Sequence, residues 1–282
     1  MTQNQFNIFC NFRNSFKEKI ADWSRVNDEL SLLQKQAADE AKTPSYKIET
    51  PVVYNTALDS ITQDDEIKLI VIGDNPGKNE QLKINQKYLV GQAGKLGEGF
   101  FAKNPELGID FRKNVIILNK TPVHSAKTNQ LKFIRKNASG ELQKMLLESE
   151  LWMARETAKL HIGLCENCSP SGIGSVSEIG SPYEIGSRGA TSMPQLWLVG
   201  YAELKGKGLF TPYKNELILS YKMPENSVNS VKCNTQSALH LAWNNVFVYQ
   251  HFSMNRFSID LKEYRNGQNS VKCNTNSTLS DA

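Results

Sequence analysis

Four short apolar runs constrain this chain more than anything else in it: "IKLIVIG" at 67–73, "NVIILN" at 114–119, "QLWLVG" at 195–200 and "NVFVYQ" at 245–250. Each has the length of a strand, is nearly unbroken in its hydrophobicity and ends in a glycine or a polar residue. A strand with one wet face alternates apolar and polar side chains. A run without that alternation belongs to a strand covered on both faces, as in a parallel sheet. Helical patterns lie between the runs, in "GKLGEGFFAK", "GELQKMLLESELWMARETAKLHIGL" and "YKNELILSYK". Strands alternating with helices predict right-handed crossovers and a three-layer α/β/α sandwich around a mainly parallel four-stranded sheet. Ligands of such sheets gather outside the carboxyl ends of the strands. The residues just beyond each run are therefore the candidates for function.

The rest of the chain frames this core. Residues 1–42 read as helical, with Phe12, Phe16, Ile20, Trp23, Val26 and Leu30 on one face. "TPSYKIETPVVYNTALDS" has two prolines and little periodicity, and is expected to form an extended strap. Residues 1–64 are thus read as a helix and strap packed on an α/β domain at 65–265, with a flexible tail at 266–282. Gly/Ser-rich residues near 165–192 repeat "EIGS", and "NSVKCNT" occurs at 229–235 and again at 269–275. Neither carries a hydrophobic period, so low-complexity insertions are expected near 165–192 and 225–238, with the second heptapeptide in the tail. The net charge of +4 is mild and does not by itself name a polyanion partner. No apolar run reaches the roughly 20 residues of a membrane helix, and the first residues lack the pattern of a secretory signal. Five cysteines, an odd number, fit reduced thiols and a cytoplasmic location. Cys165 and Cys168 form "CENC", with His161 four residues ahead, but no second pair completes a metal site. Thiols in a loop are the plainer explanation.

The strand ends differ in what they offer. After the first, "GDNPGKN" has the look of a phosphate loop, but the spacing is one residue short and Asn79 stands where a hydroxyl would hold magnesium. "GQAGKLGEG" at 91–99 does not directly follow a strand. Taken together, the ends bring Asp74 and Asn75, then Asn119 with His124 and Ser125 beyond, and finally His251 to one crevice. An amide reads a pyrimidine edge with both a donor and an acceptor, and a histidine can hydrogen-bond a carbonyl that becomes anionic. Each residue alone also has a plain structural explanation: an Asx or Pro-Gly turn at 74–77, a loop cap at Asn119, a satisfied core histidine at His251.

The set resembles the uracil-DNA glycosylase superfamily. "GDNPG" at 73–77 is similar to its water-activating motif, and "IILNKTPVHSAKTNQ" to the strand that bears its pyrimidine-reading Asn, at Asn119 here. "YLVGQAGKL" at 88–96 is similar to a run in the iron–sulfur branch, "LWLVGYAELKGKG" to a strand of the uracil-specific branch, and "HFSMNR" at 251–256 to the late His-Pro-Ser loop. The likeness spans about residues 65–262 outside the insertions. It departs from the family at Phe252, which replaces the Pro, and at Leu89, which takes the place of the stacking Phe and shifts that role toward Tyr88 or another aromatic. The cysteine spacing does not supply four cluster ligands, so no iron–sulfur centre and no other cofactor or metal is expected. Gly77 stands where the most uracil-specific branch has a Tyr, an exchange that would admit C5-modified bases.

The resemblance implies a monomeric DNA glycosylase that excises uracil or a related deaminated or modified base by hydrolysis of the N-glycosidic bond. Asp74, Asn75 and His251 would be catalytic. Gly73, Pro76, Gly77, Tyr88, Leu89 and Asn119 would bind the base, and Ser125, Ser253, Met254 and Arg256 the DNA. Whether Asp74 or Asn75 dominates stays open. Two other readings stand beside this one: a non-catalytic nucleic-acid-binding module of the same fold, and a hydrolase or transferase acting on a free nucleoside.

Overall fold

The computed structural model describes residues 1–165, 193–222, 239, 241–253, 257 and 259. The two low-complexity stretches, both copies of the repeated heptapeptide, the tail, Met254 and Arg256 lie outside the described residues. The apolar runs form the strands β1 (Leu69–Gly73), β2 (Val115–Asn119), β3 (Gln195–Val199) and β4 (Val246–Tyr249). They make one sheet in the order β2-β1-β3-β4, with every pairing parallel. All four carboxyl ends therefore emerge on the same edge. The chain runs from β1 to β2 on one side and then crosses to β3 on the other, so the order reverses beside β1.

Both faces of the sheet are covered, and the period-two geometry of the strand divides the apolar residues between them. Ile70, Ile72, Ile116, Leu118, Leu196 and Leu198 face one core, which they share with helices α1 (Gln3–Trp23), α2 (Asn27–Glu40), α4 (Gln130–Asn137), α5 (Gly140–Cys165) and α6 (Thr211–Tyr221). Leu69, Val71, Val115, Ile117, Trp197, Val199, Phe247 and Tyr249 face a second core closed by α3 (Gln92–Lys103), Phe111, Phe252 and Phe257. The result is the expected three-layer sandwich.

Elements outside the sheet follow local chemistry. Thr2 starts α1 with a capping box, its hydroxyl accepting from the Gln5 amide at 3.2 Å while Gln5 Oε1 accepts from the Thr2 amide at 2.9 Å. The single helix expected over 1–42 is divided by a 3₁₀ turn at Ser24–Val26. Helix α4 has no counterpart among the sequence expectations: only Gln130, Leu131 and Ile134 of its eight residues are buried, too few to give a readable period. The strap is extended and pinned to the core. Val52 bridges Val123, Gln34 Nε2 donates to the carbonyls of Pro51 (3.0 Å) and His124 (2.8 Å), and Asn55 Nδ2 donates to Ile117 O at 2.8 Å. These bonds hold the 120–128 loop, which borders the strand ends. No described helix is long and apolar enough to cross a membrane.

Candidate active site at the strand ends

A cleft of about 350 Å³ opens at the carboxyl edge of the sheet, beside the reversal in strand order. That is the low end of the usual range for ligand sites, and the place such sheets bind ligands. Asp74, Asn75, Gly77, Leu89, Asn119, Ser125 and His251 all line it. The expected residues Gly73, Pro76 and Tyr88 do not. Gly73 and Pro76 offer main-chain carbonyls to neighbours behind the wall. Tyr88 is turned away: it is 1% exposed, packs in the second core and donates its hydroxyl to Val53 O at 2.6 Å. The stacking role implied for it has no geometric basis. Phe252 likewise sits in that core, edge-on to Phe111, and Ser253 is exposed beside His251.

Asn119 ends β2 and is 2% exposed, yet its Nδ2 has no hydrogen-bond partner among the described residues. Leaving a buried donor unpaired costs about 1–3 kcal/mol. The amide also needs room. A Cβ on Gly73 would lie 2.4 Å from Asn119 Oδ1, so only glycine at the end of β1 lets this side chain sit there.

Asp74 is held from behind by a residue that the sequence did not flag. Lys120 follows Asn119, is 0% exposed, and donates from Nζ to Asp74 Oδ1 at 2.5 Å, Val199 O at 2.5 Å and Gly73 O at 3.5 Å. Burial lowers the Lys120 pKa and the Asp74 carboxylate opposes that shift. Gly200 completes the seat: its φ is +91° and a Cβ there would come within 2.4 Å of Asp74 Oδ1. The remaining oxygen, Oδ2, lies 3.4 Å from Thr128 Oγ1. A lysine one residue past a buried strand, and a glycine closing "WLVG", were the only signals of this arrangement.

Asn75 is more fully engaged than expected. Its Nδ2 donates to Ser125 Oγ (2.9 Å), Ser125 O (3.2 Å) and Pro76 O (3.1 Å), and its Oδ1 accepts from Thr128 Oγ1 at 3.1 Å. Ser125 Oγ donates in turn to Lys127 O at 2.9 Å. Both amide protons are thus taken, and one lone pair of Oδ1 remains for a water. His124, next in the loop, is structural. Its Nδ1–H donates to Pro76 O at 2.9 Å, Tyr46 donates to its Nε2 at 2.9 Å, and burial lowers its pKa to about 4.

No family model, curated protein or solved structure matched the chain. The chemistry of the cleft therefore rests on its own geometry.

His251 follows β4 and is half-buried at the cleft wall. The Ser253 amide points at its Nδ1 at 3.4 Å, which requires Nδ1 to accept; Ser253 Oγ, at 2.8 Å, then donates there as well. The proton of the neutral ring rests on Nε2. Desolvation is the main reason the His251 pKa lies below the ordinary histidine value; Asp74 opposes it and Lys120 reinforces it. The ring is accordingly a neutral donor at pH 7. Glu80, a second residue missed in the sequence, lines the cleft and takes the Gly77 amide at 2.7 Å, with a pKa raised by burial. It ties the glycine turn to the 89–91 segment. His161 lies elsewhere, between Tyr221 OH (2.6 Å) and Pro194 O (2.9 Å), so both of its ring nitrogens are occupied.

Proposed function

We propose that the cleft receives a base rotated out of a nucleic acid strand and that the protein is a DNA glycosylase hydrolysing the N-glycosidic bond of uracil or a related modified base. One observation carries this reading: Asn119 lines the cleft, and its buried Nδ2 is unpartnered among the described residues. A ligand with a carbonyl in that position offsets the desolvation of the donor, and a pyrimidine edge supplies it beside an N–H for Oδ1.

Rotating the base out costs a few kcal/mol. As the glycosidic bond breaks, negative charge grows on the base carbonyl and positive charge on the sugar. His251 donates from Nε2–H to that carbonyl, and losing such a donor typically lowers the rate by about 100- to 1000-fold. Asp74 Oδ2 and the free lone pair of Asn75 Oδ1 place a water for the sugar carbon. Among the described residues only Glu80 Oε2, at 3.9 Å, lies near a Cβ built on Gly77, which leaves space for a substituent at C5 of the base.

The test is excision from end-labelled oligonucleotides that carry one uracil, single-stranded or opposite guanine or adenine, with abasic sites revealed by alkali. Breaks are expected, and Asn75→Ala and His251→Ala are expected to abolish them. The fully engaged Nδ2 of Asn75 favours a second reading, a binding module that retains affinity without turnover. A folded protein that binds these oligonucleotides but breaks none, on uracil, hypoxanthine, xanthine or C5-modified bases, would establish that reading instead.

A further inference from the structure

Resting on the glycosylase reading, we propose that Lys120 is a positioning residue: a buried cation that fixes the Asp74 carboxylate with one oxygen held back and the other turned to the cleft.

Three observations meet at this side chain. First, Nζ has an acceptor for each of its three protons, Asp74 Oδ1, Val199 O and Gly73 O, drawn from the ends of β1 and β3. That is the shell of an ammonium; a neutral amine has one N–H fewer. Second, Phe210 places its ring 5.2 Å from Nζ on a remaining side, where a cation is held by the ring face. Third, Gly200 adopts a φ of +91° and lacks the Cβ that would strike Asp74 Oδ1, so the backbone of the neighbouring strand end accommodates this one carboxylate orientation. Lys120 is fully buried and is not part of the cleft wall.

The arrangement suits a reaction in which the sugar becomes cationic. A carboxylate free to swing would turn toward water or toward the nearest amide. Tied to Lys120 by Oδ1, it has Oδ2 alone for the cleft, where Thr128 Oγ1 stands 3.4 Å away. The same shell denies Lys120 a nucleophilic role: a lysine attacking the sugar needs an unprotonated, accessible Nζ, and this one is neither exposed nor short of acceptors.

The experiment is a double-mutant cycle in single-turnover excision, on Lys120→Met, Asp74→Asn and the pair, each checked for a cooperative melting transition. Lys120→Met is expected to slow excision about 100-fold with oligonucleotide affinity unchanged, as a displaced catalytic group does. In the Asp74→Asn background the same change is expected to have no further effect, because residues that act as a unit are not additive. Multiplying effects, or a Lys120→Met rate within about threefold of the parent, would overturn the proposal. So would a borohydride-trapped covalent adduct with DNA. If the parent excises nothing, the glycosylase reading fails, and the pairing is still read by NMR. The Asp74 Cγ resonance moves on Lys120→Met if the pair positions Asp74, and an unmoved resonance refutes it. Where Lys120→Met does not fold, Asp74→Asn keeps the cation. The Lys120 Nζ resonance then moves if the two side chains are paired, and stays in place if they are not.

Discussion

Asn119 sets function against stability within one side chain. Its buried Nδ2, unpartnered among the described residues, is a local penalty that the proposed base would relieve. Asn119→Ala removes the donor and leaves only a small cavity, so unfolding free energy is expected to stay within about 1 kcal/mol of the parent while excision falls about 100-fold or more. Urea titration and single-turnover kinetics on one preparation check both halves; a variant that loses stability in step with activity would make Asn119 a structural residue. Histidine provides the second prediction at this scale. His124 and His161 are buried, each with a pKa lowered from 6.5 to about 4 by desolvation. Above pH 6.5 both are neutral in folded and unfolded chains and contribute nothing to the pH dependence. Between pH 6.5 and about 4 the unfolded chain takes up their protons while the fold does not, so stability falls as pH falls, by up to about 3 kcal/mol per histidine. Glu80, its pKa raised by burial, pulls the other way, since the fold holds its proton to higher pH than the unfolded chain does. His251, also lowered by burial, acts in the same sense as His124 and His161, and urea midpoints are expected to drop between pH 6.5 and 4.5. A flat profile would place the imidazoles in water.

At the scale of elements, the turns after β1 and β3 decide whether the site exists. Gly200 and Gly206 both have positive φ, +91° and +52°, but only Gly200 has a neighbour that a Cβ would strike. Gly206→Ala is therefore expected to cost about 1–2 kcal/mol of backbone strain and leave excision unchanged. Gly200→Ala is expected to add to that strain by dislodging Asp74, lowering excision about 100-fold. Equal activity in the two variants would show that the Asp74 seat does not matter. The same elements mark what was legible in the sequence. The four strands could be read because burial on both faces leaves an unbroken apolar run, and Asp74, Asn75, Asn119 and His251 because parallel strands deliver all their carboxyl ends to one edge. Lys120 could not be read. A lysine after a strand looks solvated, and its burial depends on acceptors at Gly73, Asp74 and Val199, a coincidence of three segments far apart in sequence. Tyr88 failed for the reverse reason: the family pattern puts an aromatic at that turn, and here burial in the second core and a hydrogen bond to Val53 O claim it.

The whole molecule depends on its first 42 residues as much as on the sheet. Phe9, Phe12, Phe16, Trp23 and Leu30 from α1 and α2 are buried in the core that contains Ile70, Ile116 and Leu196 of the strands. Trp152 of α5 is the hinge of that packing. It stacks on Phe12 at 6.1 Å and Phe16 at 5.7 Å, and meets Trp23 edge-on at 5.7 Å. Gln34 of α2 then reaches through the strap to His124, so the helices also brace the loop that carries Ser125. Removing residues 1–42 deletes five large buried side chains, whose burial contributes about 1.5–3 kcal/mol each, a sum on the order of 10 kcal/mol. That equals the whole stability of an ordinary domain, which is about 5–15 kcal/mol. The truncated chain is expected to lose its cooperative thermal transition and near-UV circular dichroism, and with them any excision. A truncated chain that still melts cooperatively and cuts at uracil would make α1 and α2 an accessory layer, and the second core with α3 would then be enough to hold the strand ends in register.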